Sequence, residues 1–220
     1  MNRFQAYMQR LSAEEKINTL THLLSLVGTF FAAWYLLRLS LACGVLAVIG
    51  TVLFFVGMTM MFASSTFYHA VTNSVHKARL RILDHISIYV MIAGSYSLIC
   101  MSVVGGKAGW ILFVFLWTCV LVGVAAKITA TGKHPRLSLL LYLAMGWVAL
   151  LILRPMWLNM PHAAFWWILA EGVCYTLGTY FFSGDEQHAY WHAVWHVFTT
   201  LGAFCHTIAT WLILADIAAV

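Results

Sequence analysis

Seven long apolar stretches, at approximately 18–37, 42–68, 82–103, 108–126, 137–157, 163–183 and 190–215, occupy almost the whole chain. A helix needs about 20 apolar residues to cross a bilayer, and each stretch is close to that length. Strands are excluded as the alternative. An open sheet cannot satisfy its backbone in lipid, and the stretches lack the short alternating segments of a barrel. Across 220 residues, 63% are hydrophobic and 9% charged, against about a quarter charged in a soluble domain. The chain therefore reads as an all-α, polytopic membrane protein. It is expected to form a seven-transmembrane helix bundle over 18–220, preceded by a cytoplasmic amphipathic segment at 1–17.

The breaks between stretches are short: "LRLS" (37–40), "TNSVHKARLR" (72–81), "VGGKAG" (104–109), "KITATGKHPR" (127–136), "RPMWLNMP" (154–161) and "SGDEQH" (183–188). Near the start, "SAEEK" offers Ser12 as a helix N-cap with Glu15 three residues on. The N-terminus lacks the apolar core and small-residue cleavage site of a signal peptide, so the first stretch is expected to stay as an anchor. Nine basic residues fall on the side of the N-terminus and the second–third and fourth–fifth connections. Arg38, Lys107 and Arg154 fall on the other. Basic loops stay cytoplasmic, which predicts a cytoplasmic N-terminus and an external C-terminus. The same bias accounts for the net charge of +5 without nucleic acid as a partner. Five cysteines lie inside apolar runs with no Cys-x-x-Cys pair, so neither disulfides nor thiolate metal sites are expected.

Against this background the polar residues at one end of the bundle stand out. His69 closes the second stretch and Asp84 opens the third, while His188, His192 and His196 open the seventh, all in the predicted cytoplasmic leaflet. His192 and His196 are spaced i, i+4 and share a helix face. With His69 they make a three-imidazole set suited to zinc, leaving a fourth position for water. Asp84 is placed to accept a proton from a water activated by the metal, and Ser65, one turn before His69, to support it. The plainer alternative has Asp84 paired with Arg81 at a helix end. His206 lies ten residues beyond His196, about 15 Å along an ideal helix, too far to share the ion. Glu171 sits mid-stretch, where a carboxylate facing lipid would be costly. His22 reads as a helix–helix hydrogen-bonding residue.

In order along the chain come "EEKINTLTH" (with Glu15, Asn18 and His22), "SSTFYH", "LDH" with "IAGSY", "YLAMGW", "GVCYTLG" and "HAVWHVFTTLGAFCH". This series resembles the bacterial hemolysin III family, within the progestin and adipoQ receptor superfamily, over approximately residues 12–214. The resemblance implies a seven-helix fold with an intracellular N-terminus. It also implies a buried zinc site on His69, His192 and His196, with Asp84 as the acid near the metal water and Ser65 as the motif serine. The adiponectin-receptor branch is associated with ceramide hydrolysis, bacterial relatives with membrane-lipid homeostasis, and the family name with cytolysis. Three functions are thus weighed: a zinc-dependent hydrolase of a lipid amide or acyl bond, or a regulator derived from one; a receptor with structural zinc; and a cytolytic pore. The expected partners are membrane lipids, including a lipid substrate in an intramembrane cavity in the bacterial plasma membrane. Glu171 departs from the small residue expected beside Gly172.

Overall fold

The computed structural model describes residues 11–130 and 135–219, and these are helical almost throughout. The expected amphipathic segment at 1–17 lies largely outside them, as does part of the "KITATGKHPR" connection. The helices are α1 (Ala13–Ser40), α2 (Val45–Ala70), α3 (Ser74–Leu98), α4 (Gly106–Ala130), α5 (Pro135–Gly146), α6 (Leu153–Asn159), α7 (His162–Ser183) and α8 (Trp191–Ala218). Short 3₁₀ turns follow α1 and α5, and a π-helical turn, Ile99–Val104, ends α3.

Several connections are shorter than the apolar pattern predicts, because the helices run on into polar sequence that caps them. Ser12 caps α1 through the Glu15 amide at 3.1 Å. Asn73 caps α3 by accepting from the amides of Val75 and His76. Polar caps answer the free amides of a first helical turn, so most of 72–81 is helix rather than loop. "LRLS" likewise falls within α1, and most of "RPMWLNMP" forms α6. Pro155 is tolerated there because it stands in the first turn, where its missing N–H is not needed.

The stretch at 137–157 is not one helix. It is broken by the 3₁₀ segment Trp147–Ile152, which frees backbone groups at membrane depth. Such a break persists where a side chain repairs it. The Tyr96 hydroxyl does so, donating to the Gly146 carbonyl and accepting from the Ala149 amide.

Six segments are long and apolar enough to cross a membrane: Ala13–Cys43, Val45–Ala70, Ser74–Val104, Gly106–Thr129, Arg136–Asn159 and Trp191–Ala218. The seventh expected span, α7, does not meet that measure. Its 22 residues include Glu171 and several tryptophans and tyrosines, which lower its hydropathy. Phe31, Val45 and Leu151 are each more than 70% exposed, as suits side chains facing lipid tails. Phe54, Phe62, Leu98, Leu116 and Leu214 fill the interior. The most extensive helix–helix packing is α2 against α3. Gly94 makes that approach possible, since a Cβ there would stand 2.6 Å from the Leu53 carbonyl oxygen; small residues serve this purpose between membrane helices.

Candidate metal centre

The end of α2 and the start of α8 meet beside the start of α1, and three imidazoles converge there. Ring centroids lie 5.0 Å apart for His69 and His192, 5.0 Å for His69 and His196, and 4.7 Å for His192 and His196. One nitrogen from each ring lies within 4.8 Å of the others, a set that could hold a metal ion. His69 and His196 are buried, and His192 is partly so.

Each ring is oriented by an oxygen acceptor on its Nδ1. His69 donates to Glu15 Oε2 at 2.6 Å, His192 donates to Asp185 Oδ2 at 2.6 Å, and His196 donates to the Asn18 carbonyl at 3.2 Å. The Thr21 hydroxyl lies 3.1 Å from the same His196 nitrogen. A ring that donates from Nδ1 presents the Nε2 lone pair, which is the arrangement that orients metal-binding histidines. Nε2 of His69 is buried with no hydrogen-bond partner among the described residues. A buried, unpartnered polar atom is costly, and a shared ion would satisfy it. By this test the three residues fit a metal.

Glu15 has a second duty. Its other oxygen pairs with Lys77 at 2.5 Å, which ties the start of α1 to the start of α3. His22 stacks on His196, with centroids 3.6 Å apart and planes 12° from parallel, and bonds Thr199 at 3.1 Å. It belongs to the packing around the cluster rather than to the ligand set. His188 packs against Trp191 and His206 lies deeper on α8; neither joins the group.

Asp84, in the third turn of α3, lies beside Ser65 of α2. The His192 ring and the Arg81 guanidinium are its neighbours, yet among the described residues no direct ion pair joins Asp84 to Arg81. Ser65 is almost fully buried.

Beneath the cluster a cavity of about 130 Å³ opens between α3, α5–α6 and α7–α8. Residues near the polar ones line it: Met61, one turn from Ser65 on α2, Ile88, one turn from Asp84 on α3, and Trp195 and Thr199, which flank His196 along α8.

A family model described as haemolysin-III related matches residues 11–207. The chain belongs to the haemolysin-III-related family. Among its relatives are the hemolysin-3 homolog of Bacillus subtilis (strain 168), 30% identical over 86% of this chain and 89% of its own, and hemolysin-3 of Bacillus cereus, 29% identical over 89% and 90%. The human monocyte to macrophage differentiation factor is 28% identical over 96% of this chain and 92% of its own. No solved structure matches the chain. This haemolysin-III-related protein is a multi-pass protein of the plasma membrane.

The three histidines that come together are legible in the sequence; Glu15 and Asp185, which orient two of them, are not. Glu15 reads as a capping residue, and Asp185 lies in a turn whose sequence reads as a connection. If Asp185 orients His192 for metal, Asp185→Ala is expected to weaken zinc binding by about 10–100-fold, measured by competition with a chromogenic chelator. An unchanged affinity would remove Asp185 from the site.

Proposed function

We propose that the chain is a zinc-dependent hydrolase of a lipid amide or acyl bond, or a lipid-homeostasis regulator derived from one, working at the cytoplasmic face. It crosses the membrane seven times, with the N-terminus cytoplasmic and the C-terminus external. The observation that carries this reading is the histidine cluster itself: three rings, each fixed at Nδ1 by an oxygen, with the buried Nε2 of His69 unpartnered among the described residues. Three protein ligands leave a position open, which suits catalysis better than a closed structural site.

Two observations support the seventh crossing. Asn159, just before α7, bonds the Val103 carbonyl at the far end of α3. The far end of α7 leads into the turn that carries Asp185, at the cluster. At 22 residues and about 1.5 Å per residue, α7 is long enough to join the two ends of the bundle. The basic residues near the cluster support a cytoplasmic setting for it.

Zinc held by His69, His192 and His196 would supply Lewis acidity toward a carbonyl and toward water. The chain's own residues do the rest. The cavity seats the lipid chain and excludes bulk water. Asp84 takes the proton as the water oxygen bonds to the carbonyl carbon, then returns it to the departing nitrogen or oxygen as that bond breaks. Ser65 holds the Asp84 carboxylate in place.

Lipidomics of cells expressing the wild-type protein or Asp84→Asn tests the reading. A fall in one lipid amide or ester, with a matched rise in its acid, in wild-type cells alone is the expected result. Identical lipid profiles would overturn hydrolysis.

The names of the bacterial relatives raise a lytic reading. A pore needs a polar lining along several spans. Here the bundle centre is filled by Phe54, Phe62, Leu98 and Leu116, and that favours hydrolysis over conduction by a single chain.

A further inference from the structure

The cavity walls are mostly apolar, and the hydroxyls of Ser95, Tyr96, Tyr142, Thr176, Thr179 and Thr199 that line it already donate to backbone carbonyls. A different polar patch lies far from the histidine cluster. Glu171 and Tyr175, one turn apart on α7, line it together with His206 on α8. His206 Nδ1 donates to Glu171 Oε2 at 2.6 Å, and the two side chains are only 3% and 11% exposed. The Tyr175 hydroxyl is buried and makes no hydrogen bond among the described residues.

The patch is held from several sides. The Tyr175 ring lies across the bare backbone of Gly202, where a Cβ would come within 2.7 Å of the ring. Phe54 of α2 packs against the His206 ring at 4.5 Å between centroids. Ten residues of α8 separate His206 from His196, about 15 Å along a helix. The patch and the cluster are therefore separate sites: the patch lines the cavity, and none of the three cluster histidines does.

A buried carboxylate and a hydroxyl without a partner are both costly at membrane depth. Together they specify what would relieve that cost. The carboxylate only accepts hydrogen bonds, while the Tyr175 O–H has one to give. A ligand hydroxyl answers both, donating to Glu171 and accepting from Tyr175. A plain alkyl chain answers neither, and a ligand carboxylate would set like charge against Glu171. We infer that Glu171, Tyr175 and His206 form a recognition site for the hydroxyl group of a long-chain lipid, whose chain occupies the apolar part of the cavity. The inference rests on the reading of that cavity as a lipid seat. It is independent of any chemistry at the metal.

Equilibrium binding of a radiolabelled long-chain primary alcohol to the purified full-length protein tests it, with the matched alkane and carboxylic acid as competitors. The alcohol is expected to compete better than either. Tyr175→Phe keeps the ring on Gly202, so folding is preserved. It should weaken alcohol binding about tenfold, the scale of one hydrogen bond, and leave alkane binding unchanged. In His69→Ala, alcohol binding should persist whether or not metal is held. Three results would overturn the site: equal binding of alcohol, alkane and acid; equal weakening of all three by Tyr175→Phe; or loss of alcohol binding in His69→Ala, which would put the hydroxyl at the histidine cluster.

Discussion

Replacing His69 with alanine is expected to take zinc content from about one ion per chain to near zero. His69 is the one candidate ligand that α2 supplies, and its Nε2 is buried without a hydrogen-bond partner among the described residues. Losing an outer partner of a ligand costs about 10–100-fold in affinity, and losing the ligand itself must cost more. The two histidines left on α8 are a weak i, i+4 pair. His188→Ala and His206→Ala serve as controls, since both residues lie outside the cluster, and both should keep their zinc. Elemental analysis of protein purified without chelator reads all three. A wild-type zinc content in His69→Ala would move the metal elsewhere.

The second large effect concerns Asp84. Asparagine has nearly the same shape and keeps an oxygen that accepts hydrogen bonds, but it cannot take a proton from water. Asp84→Asn is therefore expected to lower turnover of the substrate found by lipidomics by about 10²–10⁴-fold, the range for loss of a general base. Its zinc content should remain that of the wild type. Unchanged turnover would remove Asp84 from the chemistry. Loss of zinc along with turnover would make it a structural support of the metal instead.

The sequence carried the parts of this molecule that depend on local pattern. Apolar runs of bilayer length announce helices because lipid allows little else, and the i, i+4 spacing of His192 and His196 fixes their shared face on any regular helix. The meeting of His69 with that pair was legible only through orientation, since both ends had to reach one leaflet. What escaped depends on tertiary placement. Glu15 looks like half of a capping box, and Ser12 does cap its amide; only packing of α1 beside α2 shows its carboxylate spent on His69 and Lys77. Asp185 sits in a connection with no periodicity to place it. The break after Gly146 hides in an unbroken apolar run, because its repair comes from Tyr96 on another helix. Glu171 could be marked as costly at membrane depth, but its partner His206 is 35 positions away, and no spacing rule links residues on two different helices.

The proposed hydrolysis requires one cation bound by imidazoles from two helices. Anomalous scattering from crystals of the wild-type protein, recorded at the zinc absorption edge, tests this directly. A single strong peak is expected at about 2.0–2.1 Å from one nitrogen of each of His69, His192 and His196. An active protein with no peak at that point, or with its peak on other residues, would contradict the account.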